Sequence, residues 1–282
     1  MIGPDEYHGP VDDNAYTNVL ARWNLRCAAD AAAADSSGVD ARERSSWLSI
    51  ADALVDGYDP STRLYEQFAG FFDLEPLVIE EIAPQRPIAA DALLGHDRVE
   101  AAQIVKQADV LMLHYLVPDE LAPGSLEPNL AFYEPRTAHG SSISPGIHAA
   151  LLARAGKTER ALDALRLTSR IDLDDLTQTT GGGLHMAAMG SLWQALALGF
   201  GGVRPTDEAL LLDPRLPAAW KALELRLSYR GALVRIRIEP TAVVASADSP
   251  CVVRVGDAPA INVGSAGVRV ERHGRTWKQA HR

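Results

Sequence analysis

The spacing of the apolar residues changes at Val203, and this change constrains the fold more strongly than any other feature of the sequence. Before it, apolar residues recur at helical spacing through long segments, as Val19, Trp23 and Cys27 do in the first of them. After it, short runs of alternating apolar and polar residues follow one another between prolines and glycines. The sequence therefore predicts a mainly α chain with a small all-β C-terminal unit.

Helical periodicity is found in a series of closely spaced segments, several of which have start and stop residues. Ser144 precedes Pro145, an N-cap followed by a proline suited to the first helical position, and Gly156 ends the same helix. Short links between such segments predict repeated antiparallel helical hairpins. The predicted helices are 14–34, 41–56, 96–117, 126–133, 144–155, 158–170 and 187–200.

The C-terminal strands are predicted from the alternation of apolar and polar residues. Leu223, Leu225 and Leu227 alternate with polar residues, and Arg230-Gly231 separates this run from the next. A unit of about 70 residues has a small core for an independent fold, so we expect it to pack against the helical part. The predicted strands form one antiparallel unit and are 222–230, 232–239, 241–246, 251–255 and 267–271.

The charge and the cysteine content exclude several classes of function. The 27 Lys and Arg residues against 37 Asp and Glu residues give a formal charge of -10, which repels nucleic acids and anionic membrane surfaces. Cys27 and Cys251 lie in different predicted regions, so no disulfide framework is expected. With neither a leader pattern nor a membrane-spanning apolar run, the sequence predicts a cytoplasmic protein without nucleic-acid or membrane partners.

The first cluster of chemically active residues is Gly3-Pro4-Asp5-Glu6-Tyr7-His8, which combines two carboxylates, a phenol and an imidazole. Composition alone favours a solvated N-terminal segment, after which Asp12, Asp13 or Asn14 caps the first helix. The spacing of these residues does not by itself identify Glu6 as catalytic.

The second cluster is Lys106-Gln107-Ala108-Asp109, which falls in the predicted helix 96–117 and by itself is typical of a solvated face. The third consists of two glycine-containing loops, 139–145 and 181–185, that each lead into a predicted helix. A helix N-terminus, serine hydroxyls and a histidine N–H are donors suited to an oxyanion. Each loop taken alone fits a capped helix with a packed histidine better than an anion site.

Together these clusters resemble glycoside hydrolase family 65. The motifs are Gly-Pro-Asp-Glu-Tyr-His with Asp-Asn-Ala-Tyr-Thr-Asn, then Lys-Gln-Ala-Asp-Val, then His-Gly-Ser-Ser-Ile-Ser with Gly-Leu-His, in the order of the family. The resemblance covers essentially the whole chain. It implies two domains: 1–203 as part of an (α/α)6 toroid, and 204–282 as a small antiparallel β-sandwich.

The resemblance also implies roles for individual residues. Glu6 matches the general acid that protonates the leaving glycosidic oxygen. Tyr7 and His8 then either orient Glu6 or contact the sugar, and core packing is an equal alternative for Tyr7. Lys106 and Gln107 match residues that contact hydroxyls of the glucose at the cleavage point.

Ser141, Ser142 and His185 match the phosphate-binding residues of the family's phosphorylases. An inverting hydrolase needs a second carboxylate to activate water, whereas a phosphorylase needs donors that hold phosphate. The resemblance thus implies inverting phosphorolysis of an α-linked glucobioside to β-glucose 1-phosphate and a sugar. Inorganic phosphate is the co-substrate, and neither a metal nor another cofactor is expected. Hydrolysis with Glu134 as the base stays open as an alternative.

Members of the family carry a large N-terminal β-sandwich and the first half of the toroid, and neither has a counterpart in this sequence. We therefore expect an incomplete phosphorylase whose autonomous activity is in question. The alternative is a non-catalytic remnant, or a subunit that needs a separate N-terminal polypeptide. The implied partners are a disaccharide, phosphate, and either such a polypeptide or a second copy in a homodimer. The linkage of the disaccharide is left open among trehalose, maltose, kojibiose and nigerose.

Overall fold

The computed structural model describes residues 1–34 and 38–280. Helices predominate up to Phe200 and strands from Val203 onward, which confirms the predicted order of a helical part and a C-terminal β part. Within the described residues, no helix is long and apolar enough to cross a membrane. The helices are α1 (Ala15–Ala34), α2 (Ala41–Ala53), α3 (Ile79–Ile82), α4 (Ala90–Leu94), α5 (His96–Glu100), α6 (Val110–Leu116), α7 (Leu126–Tyr133), α8 (Ser144–Arg154), α9 (Thr158–Arg170), α10 (Met186–Gln194) and a π-helix (Ala195–Phe200).

The described strands form a two-stranded ribbon within the helical part and two sheets in the β part. The five-stranded sheet has the order β11-β10-β7-β6-β5, and the four-stranded sheet has the order β3-β4-β8-β9. The strands are β1 (Tyr58–Asp59) and β2 (Leu64–Tyr65) in the ribbon, then β3 (Val203–Pro205), β4 (Leu210–Leu212), β5 (Leu223–Tyr229), β6 (Ala232–Glu239), β7 (Ala242–Ala247), β8 (Cys251–Val255), β9 (Ile261–Val263), β10 (Val268–His273) and β11 (Thr276–Gln279).

The packing of the chain divides it into two compact units. The first unit consists of Met1–His148 and Arg170–His185, and the second consists of Ala149–Ser169 and the segment from Met186 onward. The change from helices to strands occurs at β3, next to the domain boundary predicted at 203/204. That boundary stays a prediction, because the compact units follow packing rather than secondary structure.

The start of α1 is determined by Asn14, one of the three residues predicted to cap it. The side-chain Oδ1 of Asn14 accepts the backbone N–H of Thr17 at 2.9 Å, which satisfies one of the unpaired donors of the first turn. The predicted end of α8 at Gly156 is also confirmed. Gly156 has a φ of 73°, and its N–H and that of Lys157 donate to carbonyls of the last helical turn, as in a Schellman motif.

The predicted helix 96–117 is wrong. The structure has α5 and α6 there, separated by the non-helical segment 101–109. Successive side chains of this segment are buried, Ile104 and Val105 among them, and Val105 forms a parallel bridge with Thr137. A surface helix buries one face only, so successive buried residues are better accommodated in an extended segment that pairs with another. The correction bears on function because this segment carries the Lys-Gln-Ala-Asp motif.

The predicted C-terminal strands correspond to β5, β6, β7, β8 and β10. In β6, Val234, Ile236 and Ile238 are buried while the residues between them are exposed, the pattern of a strand with one buried face. Arg230 and Gly231 join β5 to β6 with φ values of 50° and 82°. Two successive positive φ angles are the requirement of the type I′ turn, whose twist matches that of the strands.

One pairing differs from the predicted antiparallel unit, since β4 and β8 are parallel. The chain between them forms β5, β6 and β7, which is long enough for the crossover that parallel neighbours need. Both sheets contribute to one apolar core, which includes Val234 and Val253. Ala197 of the π-helix belongs to the same core, so the strands pack against helical residues as expected.

Candidate functional site

The carboxylate of Asp5 fixes the backbone on both sides of Glu6. Asp5 is buried, and its Oδ1 accepts the backbone N–H of Tyr7 at 3.3 Å and that of Lys106 at 2.9 Å. Its Oδ2 accepts a hydrogen bond from Nε2 of Gln67 at 2.8 Å. Such donors offset the desolvation of a buried carboxylate. One side chain therefore holds the first motif against the segment that carries the second.

His8 completes the donors around Asp5. Its Nδ1 lies 2.7 Å from Oδ2 of Asp5, and its Nε2 lies 3.0 Å from the carbonyl oxygen of Ala102. Burial lowers the pKa of His8, but the hydrogen bond and the charge of Asp5 outweigh burial and raise this pKa above its ordinary value. Both neighbours are acceptors, so the ring is best satisfied as an imidazolium that donates from both nitrogens.

Asp109, the last residue of the Lys-Gln-Ala-Asp motif, is a second buried carboxylate beneath the first motif. Its Oδ2 accepts the backbone N–H of Asp5 at 3.3 Å, and the amide of Asn14 donates to it at 3.3 Å. Burial, with the nearby charge of Asp5, raises the pKa of Asp109 to about 7. Gly3 approaches closely here, since an added Cβ would lie 2.5 Å from Oδ2 of Asp109.

Tyr7 belongs to the core rather than to the open surface beside Glu6. It is buried with Ile79, Ile104 and Ala138 in one apolar cluster of the first unit. Its hydroxyl accepts the N–H of Ala90 at 2.9 Å. Burial raises the pKa of Tyr7 to about 12, so the hydroxyl keeps its proton. This placement fits the core alternative for Tyr7 and makes the residue an anchor for the backbone that follows Glu6.

The structure brings Glu6, Lys106 and Gln107 together. Nζ of Lys106 contacts Oε2 of Glu6, and Nε2 of Gln107 lies 3.5 Å from Oε1. Nε2 of Gln107 also donates to the carbonyl of Pro4. The side chain of Glu6 is 58% exposed, and an exposed ion pair stabilises a fold by no more than about 1 kcal/mol. These three side chains can therefore exchange their mutual contacts for contacts to a bound molecule at low cost.

Backbone pairing joins this cluster to the first glycine-containing loop. The N–H of Ala138 donates to the carbonyl of Val105 at 2.7 Å, and the N–H of Gly140 donates to the carbonyl of Lys106 at 3.0 Å. A Cβ at Gly140 would lie 3.2 Å from Cγ of Lys106 and 3.3 Å from the hydroxyl of Tyr7. The loop therefore starts in direct contact with the residues around Glu6.

His139 at the start of this loop has a structural role. It is buried with a φ of 55°, and its Nδ1 lies 3.0 Å from the hydroxyl of Ser144, the first residue of α8. Burial, together with the neighbouring His148 and Arg86, holds the pKa of His139 well below its ordinary value, so the ring is neutral. For His139 the packed-histidine alternative is the one that the geometry fits.

The two glycine-containing loops meet at an open cavity of about 380 Å³ in the first unit. Ser142 and His185 both line it, together with Gly140 and the hydroxyl-bearing residues Thr177 and Thr179. None of the residues found to line it carries a carboxylate. The lining residues are Pro87, Ile88, Ala89, Gly140, Ser142, Leu176, Thr177, Gln178, Thr179 and His185.

His185 is held at this cavity by Asp172. Oδ1 of Asp172 lies 2.5 Å from Nδ1 of His185, and Oδ2 accepts the backbone N–H of His185 at 2.8 Å. On the other side of the ring, Nε2 lies 3.2 Å from the hydroxyl of Thr179, which lies 2.7 Å from the hydroxyl of Thr177. The hydrogen bond from His185 lowers the pKa of Asp172, so its carboxylate stays ionised.

Ser141 and Glu134 lie apart from the lining of this cavity within the part of the chain that the structure describes. Ser141 is the neighbour of Ser142, and its carbonyl accepts the N–H of Ser144 at 3.2 Å. Glu134 is buried, with Oε1 at 3.7 Å from Nη2 of Arg86. The structure thus joins Glu6 with Lys106 and Gln107, and Ser142 with His185, whereas Glu134 is not among the residues found to line the cavity.

The sequence analysis missed Asp109, Asp172, Thr177 and Thr179 as members of the site. Asp109 belongs to the Lys-Gln-Ala-Asp motif, but its residue type alone did not indicate a role for it in the site. Asp172 precedes His185 by 13 residues without a recognisable spacing, and only the folded loop shows that the two are paired. Among the described residues, no three His, Cys, Asp or Glu side chains are grouped as metal ligands would be.

Two family models match the chain. The Glycosyl hydrolase family 65 central catalytic domain matches residues 1–194, and the Glycosyl hydrolase family 65, C-terminal domain matches residues 203–262. The matched residues include every position discussed above for the first and second clusters and for the cavity.

Individual proteins are similar over most of the chain. Kojibiose phosphorylase of Halothermothrix orenii is 33% identical over 253 residues, which cover 84% of this chain and 32% of that protein. Maltose phosphorylase of Bacillus subtilis is 31% identical over 251 residues, which cover 86% of this chain and 33% of that protein. A solved structure, provisionally described as a kojibiose phosphorylase from human microbiome, matches with a TM-score of 0.85 at 27% identity and covers 96% of this chain and 37% of that one. The chain thus spans about a third of the length of the relatives it matches.

Proposed function

Because the chain belongs to glycosyl hydrolase family 65, we propose that it supplies the general acid and the phosphate site of an inverting disaccharide phosphorylase. One observation carries the proposal. The bond from Gly140 N–H to the Lys106 carbonyl joins the Glu6 cluster to a cavity lined by Ser142 and His185. A proton donor and an oxyanion site next to each other are what phosphorolysis of a glycosidic bond needs.

In the proposed reaction Glu6 protonates the leaving glycosidic oxygen, while Lys106 and Gln107 hold hydroxyls of the glucose unit. Phosphate, held by Ser142 and His185 in the cavity with the neighbouring Ser141 as a further proposed donor, attacks the anomeric carbon from the opposite face, so the configuration inverts. The products are β-glucose 1-phosphate and a free sugar. Hydroxyl and imidazole donors fixed before binding stabilise the charge of phosphate without reorganisation.

Phosphate is favoured over water as the nucleophile by the composition of the cavity. An inverting hydrolase holds a carboxylate about 6.5–9.5 Å from the acid to activate water. The residues lining this cavity supply hydroxyls, an amide and an imidazole instead. Glu134, the base of the hydrolytic alternative, is buried beside Arg86. Hydrolysis is therefore the second candidate.

The relatives are about three times as long as this chain, which bears on whether residues 1–282 suffice for activity. Since the chain spans about a third of them, we propose that 1–203 form part of an (α/α)6 toroid, followed by the C-terminal β-sandwich, and that activity needs the remaining part of the family's architecture. Without that part, residues 1–282 are not expected to catalyse the reaction. A cytoplasmic location is part of the same proposal, because Cys27 and Cys251 are free thiols.

The test is incubation of the chain with kojibiose, maltose, trehalose or nigerose and phosphate, alone and together with a polypeptide that corresponds to the rest of the relatives. We expect β-glucose 1-phosphate in the combined reaction only, and its loss in the Glu6→Gln variant. An undiminished release of glucose without phosphate, abolished by Glu134→Gln, would instead establish hydrolysis. If neither reaction yields β-glucose 1-phosphate, the proposed phosphorolysis is refuted.

A further inference from the structure

Asp109 lies directly before α6, at the position where an aspartate usually caps a helix. Its side chain makes no capping hydrogen bond to α6. The carboxylate contacts the first motif instead, where its Oδ2 accepts the backbone N–H of Asp5 at 3.3 Å. Departures from a local rule of this kind are expected where a residue serves a functional site.

The two backbone N–H groups that Asp109 and Asp5 accept lie on either side of Glu6. Asp109 accepts the N–H of Asp5, the residue before Glu6, and Asp5 accepts the N–H of Tyr7, the residue after it, at 3.3 Å. Both carboxylates are only 2% exposed, so water does not replace either acceptor when it is lost. The amide of Asn14 also donates to Oδ2 of Asp109, which keeps that oxygen in place. Asp109 is therefore the outer member of a pair that holds the backbone around Glu6.

The backbone of Lys106 has an attachment that does not involve Asp109. Its carbonyl accepts the N–H of Gly140 at 3.0 Å, beside the pairing of Val105 with the same loop. The loss of Asp109 is therefore expected to displace Glu6 relative to Lys106 rather than to move the two residues together.

We propose that Asp109 is a positioning residue for Glu6, which holds the backbone N–H of Asp5 and thereby keeps the Glu6 carboxyl in place beside Lys106 and Gln107. The action of that carboxyl as a general acid rests on the proposed function. The hydrogen bond from Asp5 to Asp109 does not rest on it, so the two are tested separately.

The hydrogen bond is tested by NMR titration of the full chain labelled with ¹³C and ¹⁵N. Burial, with the nearby charge of Asp5, raises the pKa of Asp109 to about 7, so its carboxyl titrates near neutral pH. Because the shift of an amide proton depends on the charge of its acceptor, we expect the Asp5 amide to follow the Asp109 carboxyl carbon with the same midpoint. His8 also titrates here, since burial lowers its pKa by less than Asp5 raises it. Asp109→Asn should remove the Asp109 component of the Asp5 titration and leave that of His8.

The positioning role is tested by kinetics in a complete assembly that yields β-glucose 1-phosphate. We expect Asp109→Ala to lower kcat at least about tenfold and to change KM less than about threefold, because the acid is displaced while the sugar contacts stay. Asp109→Asn keeps an acceptor oxygen and should recover most of the lost kcat. The control is Asp97→Ala, an exposed carboxylate on α5, which should leave both constants unchanged.

An unchanged kcat in Asp109→Ala, or an equal loss in Asp109→Ala and Asp109→Asn, overturns the positioning role. If Asp109→Ala does not fold, the titration of the wild type decides, because an Asp5 amide that does not follow the Asp109 carboxyl overturns the proposal without any variant. If the Asp5 amide follows Asp109 while the wild-type assembly forms no product, the hydrogen bond stands and the proposed function is refuted.

Discussion

The backbone N–H of Lys106 donates to Oδ1 of Asp5 at 2.9 Å, across a separation of 101 residues. The same carboxylate accepts from Tyr7, the residue after Glu6. The position of Glu6 relative to Lys106 is thereby fixed through Asp5 rather than through the exposed contact between Glu6 and Lys106. Positioning by a buried, fully bonded group is more rigid than positioning by a surface ion pair.

Replacement of Asp5 should destabilise the first unit. Asp5→Ala leaves the buried His8 without its counter-charge and the Lys106 N–H without its acceptor, and we expect a loss of about 3 kcal/mol in the free energy of unfolding. Urea denaturation measures this loss. Asp12→Ala is the control, since Asp12 is exposed and should change stability by less than about 0.5 kcal/mol. Equal stability of the two variants would contradict the role given to Asp5.

Stability should fall as the pH rises through neutrality. The pKa of Asp109 is raised from 3.8 to about 7, so the folded chain holds a proton there that the unfolded chain has released. The raised pKa of His8 acts in the same direction, because its contribution is complete below its unfolded value of 6.5 and is lost as the pH passes its folded value. Where the folded state binds more protons, the free energy of unfolding decreases with pH.

Urea midpoints at about pH 5 and about pH 8 test this linkage. The wild type should be less stable at the higher pH, and Asp109→Asn should remove part of the difference, up to about 1.4 kcal/mol per pH unit for one proton. The same pH dependence in both proteins would show that Asp109 does not carry the proton assigned to it.

The close packing around residue 3 leaves no room for a side chain larger than that of glycine. A Cβ at Gly3 would lie 2.5 Å from both the Asn14 amide and the Asp109 carboxylate, so Gly3→Ala should cost about 1–3 kcal/mol through displacement of these groups. At Gly9 nothing lies within 4 Å of an added Cβ, and Gly9→Ala should be tolerated. Comparison of the two melting temperatures decides the point, and a neutral Gly3→Ala would be inconsistent with the described packing.

Replacement of Glu6 should affect the proposed activity without affecting folding. Because the Glu6 side chain is exposed, Glu6→Gln should change the free energy of unfolding by less than about 1 kcal/mol. In a complete, active assembly the same substitution should lower the rate at least about 100-fold, the range of a lost general acid. A variant that unfolds, or one that keeps its rate, would remove Glu6 from the proposed role.

Residue alternation and turn residues correctly predicted those parts of the fold that are determined by neighbouring residues in the sequence. Alternation in Leu223–Tyr229 and the Arg230-Gly231 turn predicted a hairpin, and Gly156 predicted the end of a helix. The apolar residues of 101–109 recur at helical spacing and so predict a helix, whereas its extended form depends on pairing with residues around Thr137. Long-range pairing of this kind leaves no local signal.

The candidate site likewise combines residues that the sequence indicated with contacts that only the structure reveals. Motif resemblance pointed to Glu6, Ser142 and His185, whereas the buried contacts of Asp5 and the pairing of Asp172 with His185 were seen only in the folded chain. Asp109 accepts the backbone N–H of Asp5 from a buried position, and burial is a property of the tertiary structure.

The central claim is that the cavity of Ser142 and His185 binds phosphate, and calorimetric titration of the chain with inorganic phosphate tests it most directly. We expect a saturable binding heat in the wild type that is weakened at least about tenfold in both Ser142→Ala and His185→Ala, as the loss of a hydrogen bond to a charged ligand requires. Glu134→Gln, which alters a carboxylate outside the cavity, should bind phosphate as the wild type does. Equal affinity in all four proteins, or no binding to the wild type, would contradict the account.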